Sequence, residues 1–153
     1  MKVIKVGVQA PLFEAIDDSG NNVSLAAFKG KKVVLYFYPK DDTPGCTAEA
    51  CSLRDGYAEL TGKGFVVIGV SADSAESHKK FRKKYELPFI LIPDTEKKII
   101  SAYGAWGEKK MYGKSYEGII RKTFVIDESG KVALVIEKVD TNNHAGQILS
   151  ELS

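Results

Sequence analysis

The sequence predicts an α/β sandwich: a mixed central sheet flanked by helices, with an N-terminal β-hairpin extension. Three observations predict it. Strand and helix signals alternate along much of the chain, the strongest strand signals are continuous apolar runs of the kind buried on both faces, and a hairpin signal precedes one last helix. Asp17-Asp18-Ser19-Gly20-Asn21-Asn22 is a turn cluster between two short extended segments, which places a hairpin ahead of the main fold. Val33 to Tyr38 is an unbroken β-branched and aromatic run stopped by Pro39, as expected of a central strand. From Thr47 to Leu60, residues Ala50, Leu53, Tyr57 and Leu60 recur at helical steps, which predicts one helix beginning at Cys46 and ending near Gly62 and Gly64.

Phe65 to Val70 reads as a second buried strand. Ser74 to Tyr85 reads as a charged helix with Phe81 and Tyr85 on one side, capped by Ser74 and closed before Pro88. After Phe89 to Ile92 and a short segment around Lys97 to Tyr103, Lys122 to Ile126 and Lys131 to Ile136 flank Asp127-Glu128-Ser129-Gly130, a hairpin signal, and Asn143 to Leu152 reads as the closing helix. Right-handed crossovers put helices on both faces of such a sheet, and the order fits a thioredoxin-like sandwich. No Ser/Gly-rich linker, low-complexity tract or repeat marks an internal boundary, so residues 1–153 are expected to form a single domain.

The 22 Lys and Arg nearly balance the 20 Asp and Glu, so the net charge of +2 supplies no broad field for a nucleic acid. No stretch approaches the roughly 20 apolar residues of a membrane span, and the N-terminus has no apolar run behind a basic start. The expectation is a cytoplasmic protein without nucleic-acid or membrane partners. In a reducing compartment a close cysteine pair does redox or metal chemistry more often than it braces a fold, and the chain's two cysteines are Cys46 and Cys51.

Pro39-Lys40-Asp41-Asp42-Thr43-Pro44-Gly45-Cys46-Thr47 links the end of a buried strand to the first turn of a helix. A cysteine there sits at the positive end of the helix dipole beside unpaired N–H groups, which favours the nucleophilic thiolate. Gly45 allows close approach of another molecule to the backbone, Pro44 stiffens the start of the helix, and Thr43 is placed to give its hydroxyl to the thiolate or to a bound oxygen. Inert burial is the competing reading of both cysteines, and the strand-to-helix junction argues against it. Five steps along one α-helix put two Cα atoms roughly 8.7 Å apart. That exceeds the roughly 7 Å limit for a disulfide, so a Cys46–Cys51 bond requires local unwinding and is transient. A zinc site built from Cys46, Cys51, His78 and His144 has the wrong spacing. His78 is expected to be half-exposed on its charged helix, and His144 to be an ordinary first-turn residue.

Pro39, Thr43 and Cys46 match the peroxiredoxin pattern Pro-x-x-x-Thr/Ser-x-x-Cys at each fixed position. Cys51 matches the resolving cysteine, five residues on, of the bacterioferritin comigratory protein or peroxiredoxin Q subfamily. The resemblance extends through Trp106 to Lys114 and Gly118 to Asp127, and so covers nearly the whole chain. It implies an atypical two-cysteine, thioredoxin-dependent peroxidase without cofactor, often monomeric, acting on hydrogen peroxide and organic hydroperoxides. Cys46 would become a sulfenic acid, Cys51 would resolve it as an intramolecular disulfide, and thioredoxin or a similar dithiol would reduce that bond. The resemblance makes Arg121 the active-site arginine, with Thr43 beside it and Pro39, Pro44 and Gly45 shaping the substrate position. Glu49 falls at a position often acidic or amide in that family, although the helix dipole explains a first-turn glutamate equally well. Trp106 and Tyr112 lie in a Gly- and Lys-rich segment that either borders the site or anchors packing. A disulfide oxidoreductase would want a closer cysteine pair. A redox-switched binding module would use the unwound helix to expose apolar surface.

Overall fold

In the computed structural model, which describes residues 4–152, a hairpin of β1 (Glu14–Ile16) and β2 (Asn22–Ser24) precedes the main sheet. Then come β3 (Lys32–Phe37), α1 (Pro44–Asp55), α2 (Tyr57–Gly62), β4 (Phe65–Ser71), α3 (Ala75–Tyr85), β5 (Ile90–Pro93) and α4 (Lys98–Ala102). The last third holds β6 (Trp106–Met111), β7 (Lys114–Ile119), β8 (Lys122–Ile126), β9 (Val132–Ile136) and α5 (His144–Leu152). The five-stranded sheet has the order β5-β4-β3-β8-β9, with β3, β4 and β5 parallel and β8 and β9 antiparallel. This is the mixed, thioredoxin-like sheet that the alternating signals predict.

Strand alternation divides the core into two layers. Val33, Leu35 and Phe37 pack with Ile99 and Ile100 of α4 and with the N-terminal residues Val23 and Leu25. Val34, Tyr36 and Tyr38 face the other way, onto Cys46, Ala50 and Leu53 of α1, Phe81 of α3 and Ile148 of α5. The cysteine helix is thus buried against the same sheet face as α3, α5 and, through Leu60, α2.

Two elements differ from the sequence expectation. The helix expected to run from Cys46 to near Gly62 and Gly64 breaks at Gly56 and starts earlier, with Pro44 as its first residue. A Cβ at Gly56 would lie 2.5 Å from the Ala145 Cβ, so glycine at the break is what lets α5 approach this closely. The segment 106–119 is an antiparallel hairpin, β6 on β7. Its tip, Tyr112-Gly113, has positive φ at both residues (53° and 77°), the backbone of a twist-matched two-residue turn. The Ser74 cap is as expected, its hydroxyl accepting from the Ser77 N–H at 3.1 Å, and Glu86 closes α3 in the left-handed region.

Candidate active site

The loop between β3 and α1 is moored upstream of the cysteine by side chains. Asp41 Oδ1 accepts from the Tyr38 hydroxyl at 2.7 Å, and Asp41 Oδ2 accepts from Ser77 Oγ and lies against His78 Nδ1, both at 2.7 Å. The Asp41 N–H donates to Asp73 Oδ2 at 2.8 Å, and His78 Nε2 reaches the Ile92 carbonyl at 3.1 Å. His78 is therefore fully buried, not half-exposed as its helix suggested: one polar residue of a charged helix turns inward to hold the loop. Asp41, Asp73 and His78 bring ligand atoms within 4.8 Å of one another, but Tyr38, Ser77, Ser71 and the Asp41 N–H already engage these groups, and no cysteine takes part. Asp42 adopts φ 58° and sends its carboxylate to Lys84 Nζ at 2.8 Å and the Tyr85 hydroxyl at 2.7 Å, bonds that hold it below the usual carboxylate range.

Thr43 is the N-cap of α1 in extended backbone, Pro44 is the first helical residue, and the ladder begins with the Thr47 N–H on the Thr43 carbonyl at 2.8 Å. The N–H groups of Gly45 and Cys46 lie ahead of that ladder and point out of the helix end. Thr43 gives its hydroxyl proton to the Lys40 carbonyl at 3.0 Å instead of to the sulfur.

Cys46 is 1% exposed, and its Sγ accepts from Arg121 Nη2 at 3.3 Å. Arg121 lies between β7 and β8, where the strand order brings it over the first turn of α1. A Cβ on Gly45 would sit 3.1 Å from Nη2, so glycine is what lets the guanidinium lie flat against the helix start. Nη1 of the same arginine donates to Glu49 Oε1 at 2.6 Å. Glu49 is one helical turn beyond Cys46 on the same face, so the arginine is shared between sulfur and carboxyl. Burial pushes the Glu49 carboxyl up to about 7, against the pull of Arg121.

Behind Glu49 stands His144, fully buried, where the sequence suggested an ordinary first-turn residue. Its Nε2 is 2.7 Å from Thr123 Oγ1 and its Nδ1 is 2.9 Å from Gln147 Oε1, and burial brings the ring down to about 4. The same end of α5 is fastened to α1: the N–H groups of His144 and Ala145 donate to Ser52 Oγ at 2.8 and 3.3 Å. Sequence reasoning missed Ser52, Thr123 and His144. The helical step from Cys46 to Glu49 was the available signal for the shared arginine.

Cys51 is half-buried on α1, and both cysteines are free thiols within one continuous helix. Trp106 packs against the core with Lys97 over its ring at 4.7 Å and its N–H on Glu117, and Tyr112 is 96% exposed at the hairpin tip. Lys109 of β6 donates to the Ile119 carbonyl at 2.9 Å, and burial followed by the charge of Arg121 lowers its ammonium. Pro39 lies half-buried just beyond the last central strand residue.

A buried thiol at a helix N-terminus, held by an arginine beside unused N–H groups, is built to carry negative charge on sulfur and to stabilise an oxygen leaving it. Residues 6–135 match the AhpC/TSA family. The chain is 47% identical to a putative peroxiredoxin of Coxiella burnetii, over 97% of this chain and 99% of that one. It is 46% identical to peroxiredoxin Bcp of Bacillus subtilis, over 97% and 95% respectively. Among solved structures, the bacterioferritin comigratory protein of Xanthomonas campestris, described for its alkyl peroxide reduction activity, superposes with a TM-score of 0.88. It shares 34% identity, over 97% of each chain.

Proposed function

The chain belongs to the AhpC/TSA family and is a peroxiredoxin, a thiol peroxidase; on that premise we propose that Cys46 attacks the peroxide and Cys51 resolves it. The observation that carries the assignment is the Arg121 Nη2–H on Cys46 Sγ at 3.3 Å, at the open end of α1. The Cys46 sulfur attacks one peroxide oxygen in line, the S–O bond forms as the O–O bond breaks, and the departing oxygen takes a proton to leave as water or an alcohol. Arg121 and the N–H groups of Gly45 and Cys46 receive the charge that grows on the oxygens. Thr43, its proton committed to Lys40, turns an oxygen lone pair toward the site and accepts from the peroxide O–H. Pro39, Pro44 and Gly45 shape the approach.

Cys46 is then a sulfenic acid. Unwinding of α1 brings the Cys51 thiol to it, the disulfide forms and water leaves, and an external dithiol, thioredoxin or its equivalent, restores both thiols by exchange. We place this cycle in the cytoplasm, in a single monomeric domain. Among the described residues no helix is long and apolar enough to cross a membrane.

The test mixes reduced protein with one equivalent of hydrogen peroxide and follows thiols and intact mass, in wild type and in Cys51→Ser. Loss of both thiols with loss of two hydrogens in the wild type, and an added oxygen on Cys46 in the variant, is the expected result. Thiols that survive as long as free cysteine would overturn the assignment. Turnover supported by glutathione but not by thioredoxin would replace the reductant.

A further inference from the structure

Two buried side-chain oxygens among the described residues lack a hydrogen-bond partner, Tyr36 Oη and Glu49 Oε2, and the second lies behind the reacting sulfur. Glu49 has no solvent exposure; Arg121 takes its Oε1, and its Oε2 is 3.5 Å from His144 Nε2. The bonds around the imidazole fix where its proton sits. Gln147 Oε1 accepts from the Asp140 N–H at 2.9 Å and is therefore the amide oxygen, so His144 Nδ1 donates to it. A neutral ring with its proton on Nδ1 has one lone pair, at Nε2; Thr123 Oγ1 donates to it at 2.7 Å, and Glu49 Oε2 stands 3.5 Å from the same nitrogen. The 3.5 Å approach is thus no ion pair. An ionised Oε2 would face a nitrogen with no proton to give, whereas a protonated Oε2 can share that acceptor with Thr123.

We infer that His144 is a positioning residue for the peroxidase reaction: its unprotonated nitrogen holds the Glu49 carboxyl neutral and leaves the Arg121 guanidinium undivided for the Cys46 sulfur. This rests on the peroxidase assignment above. The other groups facing Glu49 are consistent with it. Cys46 on the same helix and Tyr36 on β3 offer it no positive charge, and Arg121 is the cation in contact; Asp41 acts on Tyr36, Lys109 on the Arg121 and Cys46 pair, and Asp140 on His144. Neutral Glu49 leaves an arginine and a sulfur anion with balanced charge. Ionised Glu49 turns the three-group cluster net negative and draws the guanidinium away from the sulfur. The thiolate is then a poorer partner for a peroxide that must accept electrons.

The test has two readouts. The first is a carbon-13 titration of the Glu49 carboxyl in Cys46→Ser protein, which needs no turnover. The second is the rate constant for hydrogen peroxide across pH 5.5 to 9 in protein with both cysteines. The wild-type carboxyl should titrate near neutrality, and the rate should fall about tenfold as it ionises. Thr123→Val, which frees the whole Nε2 lone pair for Glu49, should raise the titration midpoint. His144→Gln, whose amide can donate, should lower it by about one pH unit. Glu49→Gln, which cannot ionise, should remove the decline with pH whatever its absolute rate. A merely structural His144 would lower stability without moving the midpoint, so unmoved midpoints in both variants overturn the inference. A flat rate profile in a peroxide-consuming protein overturns it alone, and a protein that consumes no peroxide at any pH overturns the peroxidase assignment and this inference together.

Discussion

Ser52→Ala should speed the resolving step. In the wound state Ser52 Oγ accepts from two first-turn N–H groups of α5, at 2.8 and 3.3 Å, and so caps a helix to which it does not belong. A cap of this kind contributes about 1 kcal/mol, and a half-buried donor left without an acceptor costs about as much again, so the variant loses about 1 to 2 kcal/mol of the docked arrangement. Unwinding α1 at Cys51 carries the neighbouring serine away from α5, so the opened state has already given up this contact. The loss therefore falls on the closed state, and the opening equilibrium shifts by about 5- to 30-fold. Attack on peroxide happens in the closed state and should be unchanged. The assay is a quenched-flow single turnover with one equivalent of hydrogen peroxide, separating sulfenic acid from disulfide by alkylation and intact mass. Disulfide formation should accelerate by that factor, and overoxidation to sulfinic acid should need correspondingly more peroxide. A variant that loses the stability but resolves at the wild-type rate would refute the reasoning, because it would mean that α5 travels with α1 and keeps its cap.

Arg121→Gln removes a charge-assisted bond to sulfur and should slow thiol oxidation by at least about 100-fold, read by loss of free thiol after peroxide addition. Gly45→Ala puts a methyl 3.1 Å from Arg121 Nη2; displacing the guanidinium by a few tenths of an ångström should cost about tenfold in the same rate while leaving the fold intact by circular dichroism. Gly56→Ala meets the Ala145 Cβ at 2.5 Å and should cost about 1 to 3 kcal/mol in denaturant unfolding, with faster disulfide formation as α5 is pushed off. Glu49, pushed up to about 7, binds more protons folded than unfolded and so loses stability as pH rises from about 4.5 to 7. His144, down at about 4, does the reverse and gains stability as pH rises from about 4 to 6.5. The two oppose each other, so Glu49→Gln should make unfolding free energy climb more steeply with pH over that window, by up to about 1.4 kcal/mol per pH unit.

What could be read from the sequence was what depends on local pattern. Val33 to Tyr38 and Phe65 to Val70 announce buried strands because both of their faces are apolar, and Ser74 announces its helix because a cap acts on its own first turn. The cysteine at a strand-to-helix junction was legible for the same reason, as was the placing of Cys51 on the same helix. The Gly56 break was not, since Ala145, far along the chain, is what forbids a side chain there. Nor was the β6 and β7 hairpin, whose residues such as Lys114, Ser115, Tyr116 and Glu117 are exposed on both faces and show no alternation. His78 and His144 were misjudged because a single histidine in a polar stretch says nothing of the partner it turns toward, Asp41 in one case and Glu49 in the other.

The moorings upstream of Cys46 bear on how often the enzyme can be used. Asp41 is tied to Tyr38, Ser77 and His78, and Asp42 to Lys84 and Tyr85, while beyond Cys46 helix α1 is held by Arg121 on Glu49, by the end of α5 on Ser52 and by Arg54 on the Tyr85 carbonyl. The upstream bonds hold the helix start itself, so in the proposed cycle the end at Thr43 and Pro44 stays in place while α1 unwinds. In the proposed cycle, when a reductant splits the disulfide the chain does not have to find a helix start from a random coil, which is the slow and unfavourable part of winding. Thr43 is already extended and Pro44 already at its fixed φ, so the turn grows from a preset end at the nanosecond-per-residue pace of elongation. In that cycle the moored segment before Cys46 acts as a memory of the reduced shape, and each turnover rewinds onto the same template.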